Sequence, residues 1–365
     1  MKASIQSLIH CLEAWAPPSL QESYDNSGLL TGNPNDTIKG VMICLDCTEA
    51  VVEEAVSKGC NVIIAHHPIV FSGLKRLTGR SYIERTVIAA IRNQVAIYAM
   101  HTNLDTIQTG VNARIGRMLG IAQPRILKPL KGQLLLLTVY VPHAHAENLR
   151  SALFEAGAGH VGAYSHCSFN VQGDGTFRAG EGAQPFVGEM HQTHTEAETR
   201  IECLVPLHKQ AAVWAAMKQV HPYEEIAHQW VKIENAHQEL GAGMIGSLEE
   251  PMNALDFLNK IKSIFGGMVR FTSLPEGPVQ QIAWCGGSGS FLLADARAAQ
   301  ADVFVSSDFK YHQFFDAEGQ ILIADIGHFE NEQFTMQLIY DYLKENFPNF
   351  AGCITTVQTN PIHYL

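Results

Sequence analysis

Four histidines and two carboxylates stand in this chain where metal chemistry can be built. His66 and His67 end the run "VIIAHH", His101 ends "AIYAMH" with Asp105 four residues on, and His328 closes "ILIADIGH" with Glu332 four residues on. Imidazole nitrogens and carboxylate oxygens suit Zn, Fe, Mn, Co or Ni. Six such groups exceed the three protein ligands and open position of one catalytic zinc, so the count fits two divalent metal ions per chain. Adjacent side chains on an extended segment point apart, so His66 and His67 are expected to serve one ion each. Glu332 has two oxygens and can bridge the pair, an arrangement whose chemistry is hydrolysis with water as the nucleophile.

These residues must be brought together by elements far apart in the chain. "GVMICLD", "NVIIAHH" and "VAIYAMH" are short apolar runs separated by helical patterns, "TEAVVEEAVSKG" and "YIERTVIAAIRNQ". The same grammar returns in "QIAWCGG", "ADVFVSSD" and "QILIADIGH", before one long final helix over "ENEQFTMQLIYDYLKENF". Strand and helix in alternation indicate βαβ units and a parallel sheet, and residues at the carboxyl ends of such strands share one crevice. A spacing of four at the start of the final helix places His328 and Glu332 on one face.

Between these halves the texture changes. "LLLLTVYVPHAHAENLRSALFEAG" and "TRIECLVPLHKQAAVWAAMKQV" repeat one pattern: an apolar strand, Val-Pro, histidine and an amphipathic helix. A repeated strand–helix unit with further strands between predicts the βαββαβ, ferredoxin-like arrangement. The expected fold class is therefore α/β: two βα-rich halves, 1–125 and 240–365, form the metal-binding core, and an α+β domain is inserted at 126–239. Gly- and Pro-bearing joints, "IAQPRILKPLKG" and "ELGAGMIG", mark its limits.

Weaker features compete. "CGGSGS" places Gly286, Gly287, Ser288 and Gly289 between a strand and a helix, where backbone N–H groups can cradle an anion. Ser288, Asp308 and His328 also follow the chain order of an α/β-hydrolase triad, a reading that leaves His66, His67 and Asp105 without a role. Asp25, Asp46 and Asp325 are capping or turn residues or, for Asp325, an orienter of a ligand histidine. Cys44 and Cys47 have no second pair to complete a zinc site and read as structural. "HQTH" and "HPYEE" in the middle segment read as structural or interface histidines.

Composition sets the bounds. The 365 residues are 46% hydrophobic and 17% charged, as in a globular protein of two domains. A formal charge of −11 with no dense Lys/Arg cluster argues against nucleic acid as a partner. Scattered cysteines and the absence of a long apolar run or signal-peptide pattern lead to the expectation of a cytoplasmic protein. The starting segment reads as an amphipathic helix.

Several blocks carry a resemblance. "SYDNSGLLTGNP", "IIAHHPIVFSGLKRL", "HTNLDT", "GGSG", "SSDFKYHQ" and "DIGHFENE" resemble the signatures of the GTP cyclohydrolase 1 type 2 homologues, the dinuclear-metal-centre hexameric proteins. "GAGHVGAYSHCSFNVQGDGTF" and "HPYEE" are similar to the PII- and CutA-like insertion of their longer bacterial members. The resemblance implies that His66, His67, Asp105, His328 and Glu332 ligate two metals with Glu332 bridging, and that His101 is an extra ligand or a proton-transfer group. It also implies a toroidal homohexamer whose metal sites face an internal cavity. The function expected from these residues is a two-metal hydrolase acting on a small-molecule, nucleotide-like or phosphorylated substrate; the alternative is a regulatory or metal-handling protein whose insertion binds an effector or partner. The chain departs from the family pattern at Ser306, Ser307 and Asp308, where Thr-Gly-Asp is expected, and at Ala65, where a hydroxyl residue is usual.

Overall fold

Val62–His67 forms a strand because a run of valine, isoleucine and alanine can be buried on both faces only inside a parallel sheet. Its neighbours on both sides, Val41–Asp46 and Ala96–Ala99, run parallel to it. The computed structural model in which this is seen describes residues 3–347 and 351–365. The amphipathic first helix runs over Ile5–Trp15; Met1 and Lys2, with which that predicted segment begins, lie outside the described residues.

The chain divides into two compact units, one of Met1–Lys128 with Glu239–Leu365, the other of Pro129–Gln238. In the first unit, one sheet has the order Gly28–Thr31, Ala96–Ala99, Val62–His67, Val41–Asp46, Gly352–Ile354. Helices Glu49–Ser57 and Tyr82–Arg92 start where the hydroxyls of Thr48 and Ser81 accept the N–H groups of Val51 and Glu84. They bury Val51, Val52, Val87 and Ala90 in a core with Met42, Ile63 and Ile97. Cys44 and Cys47 lie in that same core, and neither is in a disulfide.

The second sheet of this unit has the order Arg270–Phe271, Leu322–Asp325, Val303–Ser307, Val279–Ser288, Ala236–Met252, Ile121–Lys131. Val279–Ser288, Val303–Ser307 and Leu322–Asp325 are mutually parallel. Their inward residues Ala283, Phe304 and Ile323 are fully buried, each large apolar side chain contributing about 1.5–3 kcal/mol.

Two expectations are corrected. The supposed joints are strands, Ile121–Lys131 and Ala236–Met252. The prolines at 124 and 129 are tolerated because Ile121–Lys131 is an edge strand, with no neighbour to bond on one side. The single final helix is two, His328–Glu332 and Thr335–Asn346. Beyond these, a last short strand that the sequence reading did not include, Gly352–Ile354, pairs in parallel with Val41–Asp46.

The second unit has the element order strand, helix, strand, strand, helix, strand, over Leu134–Pro142, Ala146–Glu155, Phe169–Arg178, Thr193–Pro206, Gln210–Val220 and His228–Ile233. Its antiparallel sheet has the order Phe169–Arg178, Thr193–Pro206, Leu134–Pro142, His228–Ile233. Both copies of the repeated pattern end their strand at proline and turn through one 3-10 turn into a helix. Alternate residues Leu135, Leu137, Val139 and Val141 face Leu149, Leu153, Val213 and Met217 in a separate core. Among the described residues no helix is long and apolar enough to cross a membrane.

Candidate metal centre

His66 and His67 are the last two residues of their strand, and the pleat sends them to different sides. His66 is fully buried, its ring 5.0 Å from that of His67. Met100 and His101 leave the neighbouring strand, and His101 caps the short helix Thr102–Thr106 that carries Asp105. From the second sheet of the same unit, the chain passes from Leu322–Asp325 into helix His328–Glu332.

Glu332 is the meeting point. Its Oε2 lies 2.9 Å from His67 Nε2 and 3.0 Å from His328 Nε2, and those two nitrogens are 3.3 Å apart. Its Oε1 lies on the other side, 3.7 Å from His66 Nε2, which is in turn 3.8 Å from Asp105 Oδ1. His66, His67 and Glu332 are the group of ligand atoms, among the described residues, that converges closely enough to hold an ion. The rings of His66 and His67 each lie 5.4 Å from that of His101.

Each imidazole is held from behind through Nδ1. His66 Nδ1 lies 2.7 Å from the Met100 carbonyl, His67 Nδ1 2.7 Å from Asp46 Oδ1, His101 Nδ1 2.7 Å from Asp25 Oδ1 and His328 Nδ1 2.6 Å from Asp308 Oδ2. Carbonyl and carboxylate oxygens only accept, so Nδ1 carries the hydrogen and Nε2 is left to face the centre. This is how a ligand histidine's tautomer and orientation are fixed around metals. Asp25 is itself held by the Thr102 N–H at 3.0 Å and the Asn26 N–H at 2.7 Å.

The electrostatics favour positive charge at this point. Burial alone would lower the His67 and His328 pKa values, but bonds to Asp46 and Glu332, and to Asp308 and Glu332, raise them to about 10 and about 11. Burial opposes ionisation of Glu332 too, yet the surrounding imidazoles hold its carboxyl well below the usual range. Asp105 is pushed the other way, to about 8, by burial and by the charge of Glu332. His66 Nε2 and Asp105 Oδ1 are buried without a hydrogen-bond partner. Ligands of a tetrahedral ion sit roughly 3.4 Å from one another; separations of 2.9–3.8 Å here are in that range. The residues fit a metal centre.

Gly287 explains part of "CGGSGS". Its φ is +62°, and a Cβ there would lie 2.4 Å from Glu332 Oε1, so only glycine lets that carboxylate approach. Its carbonyl accepts the Ser306 and Ser307 hydroxyls at 2.9 and 2.6 Å. The Gly286 N–H is taken by Asn112 Oδ1 at 2.9 Å rather than aimed at an anion. Of the serine triad, the Asp308–His328 pair is formed. His328 Nε2, however, faces Glu332 and His67, while Ser288 is exposed with no bond to it among the described residues. Asp325 does not orient a histidine: it pairs with Arg270 and accepts the Phe309 and Gly327 N–H groups at 2.9 and 3.3 Å. Asp25, Asp46 and Asp308 do that work instead. Sequence pairs Asp308 with His328 only through the triad pattern, and offers little signal for Asp25 and Asp46, which lie more than 20 positions from their histidines.

Residues 3–361 match the family model described as Duf34/NIF3 (NGG1p interacting factor 3). A Halalkalibacterium halodurans protein named GTP cyclohydrolase 1 type 2 homolog is 36% identical over 100% of this chain and 99% of its own length. A Bacillus subtilis protein of the same name is 36% identical over 89% and 88%. Among solved structures, a Bacillus cereus protein related to NIF3 is 34% identical with a TM-score of 0.86, covering 100% of both chains.

Proposed function

The chain belongs to the Duf34/NIF3 family, and from that premise we propose that it is a two-metal hydrolase acting on a nucleotide-like small molecule. The observation that carries the proposal is the division of Glu332 between two sets of Nδ1-anchored histidines. His67, His328 and Glu332 Oε2 would hold one ion; His66, Asp105 and Glu332 Oε1 would hold the other. When bound, two divalent ions supply Lewis acidity and make water a nucleophile at neutral pH. His101, fixed by Asp25, presents Nε2 to accept or return a proton.

The substrate class is supported by the rim. Tyr24 and Phe71 are 62% and 49% exposed, their rings lie 6.1 Å apart, and Phe71 is 6.2 Å edge-on from His101. Exposed aromatic rings beside a polar centre suit a flat heterocycle. The relatives' name makes GTP the first compound to try, with attack at the base ring rather than at phosphorus. A toroidal homohexamer in the cytoplasm belongs to the same proposal, and light scattering should return six chains per particle.

Purified protein should hold about two ions per chain by this count, and a Glu332→Ala, His67→Ala double variant should lose them. Metal-loaded protein is then incubated with a nucleotide panel including GTP. Turnover that survives loss of the ligands would sink the mechanism. With no turnover from any member, the reading of a regulatory or metal-handling protein takes its place.

A further inference from the structure

The second unit contains a cavity of about 460 Å³ that the metal centre does not involve. Phe177, Phe186 and Tyr223 line it together with the carboxylates Glu198, Glu224 and Glu225. The ring centroids of Phe177 and Phe186 each lie 6.3 Å from that of Tyr223, with the planes inclined by 59° and 52°. The rings are held in advance: Phe177 packs on His194 at 5.4 Å, Phe186 meets His145 edge-on at 5.6 Å, and the Tyr223 hydroxyl donates to Glu198 Oε1 at 2.8 Å. Glu224 is fixed by the Gln184 N–H, which donates to its Oε1 at 2.8 Å. Groups ordered without a ligand cost little to order when one binds.

Charge decides what would occupy the space. Three carboxylates face one guanidinium, that of Arg178, so an anion is disfavoured. A metal ion is disfavoured as well, because among the described residues the converging ligand group is His66, His67 and Glu332, far from these side chains in the chain. Carboxylates spread around aromatic faces suit a larger, diffuse cation, which gains from each ring quadrupole and from the field of the acids without stripping its charge to one point. We propose that this cavity binds an organic cation, a protonated amine or quaternary ammonium, with its head among Phe177, Phe186 and Tyr223 and its charge balanced by Glu198.

The proposal is independent of the reaction at the metal centre. It is tested on the full-length, metal-loaded protein by calorimetric titration with choline and with its neutral isostere 3,3-dimethylbutan-1-ol. Choline should bind saturably and the isostere about tenfold more weakly, the loss a cation over aromatic rings implies. Tyr223→Leu should weaken choline about tenfold. Glu198→Gln should weaken it several-fold and flatten its salt dependence. Tyr223→Phe, which keeps the ring, should retain most of the binding. Each variant is accepted only with wild-type circular dichroism and metal content; where Tyr223→Leu fails that check, Phe177→Leu replaces it. Equal binding of choline and the isostere, no saturable binding of choline or tetramethylammonium, or choline binding unchanged in both Glu198→Gln and the ring variant overturns the proposal.

Discussion

Imidazoles that face one another across a carboxylate need either protons or a metal, and this competition makes the residues testable. In the metal-free protein His67 and His328 carry protons at neutral pH, their pKa values raised to about 10 and about 11 despite burial by Asp46, Asp308 and Glu332. Because the folded values lie above the unfolded histidine value of about 6.5, these groups stabilise the metal-free fold fully below that pH. The contribution is lost as pH rises through 10 to 11. Metal requires the unprotonated nitrogens, so its affinity has the opposite slope: it should rise with pH, and binding at pH 8 should release protons. Calorimetry in buffers of different ionisation enthalpy reads the number released; zero release would show that His67 and His328 are not ligands.

The aspartates behind the histidines act at the same scale. Asp46→Asn and Asp308→Asn keep volume but remove the charge that fixes each imidazole, and each should cost about 10–100-fold in metal affinity. Asp325→Asn, which touches no ligand histidine, should leave affinity near wild type while loosening the Arg270 contact. Competition with a chelator of known affinity distinguishes the two outcomes.

At the scale of elements, the centre depends on how helix Val111–Leu119 packs against strand Val279–Ser288. Trp284 is fully buried there and its Nε1 donates to the Asn112 carbonyl at 2.7 Å, while the Asn112 side chain donates to the Asp105 carbonyl at 3.2 Å and accepts the Gly286 N–H. One asparagine thus ties the segment bearing Asp105 to the glycines beside Glu332. Gly116 makes the packing possible: a Cβ there would stand 2.5 Å from Trp284 Cζ2. Helix propensity favours Gly116→Ala by about 1 kcal/mol, but overpacking costs roughly 1–3 kcal/mol. The net effect should be destabilisation, read as a lower denaturation midpoint with unchanged slope. A stabilised variant would mean that Trp284 moves freely.

At the scale of the whole molecule, the two units have separate cores, and the candidate metal residues come from one of them. Ion binding stabilises only what it binds, by an amount that grows with the logarithm of occupancy. Scanning calorimetry of the full chain should therefore show that stripping the metal lowers the transition of the unit 1–128 with 239–365 and leaves that of 129–238 in place. A single transition that shifts as one would show the units to be thermodynamically coupled.

Read from the sequence alone, the core strands around Ile43, Ile64 and Val305, the repeated strand–Pro–helix pattern and the converging candidates His66, His67 and Glu332 were legible, because burial period, proline position and imidazole at a strand end are local properties. The family blocks around His66 and Glu332 also stand in contiguous sequence. The mixed α/β fold class follows from the same local signals. What only tertiary structure decided is non-local: Asp46 and Asp25 behind their histidines, the division of Glu332 between two sides, Gly287 making room for it, and the strands hidden in the Pro- and Gly-bearing joints. A ligand announces itself by its chemistry, whereas the residue that orients it is chosen by distance in space, and no spacing along the chain encodes that distance.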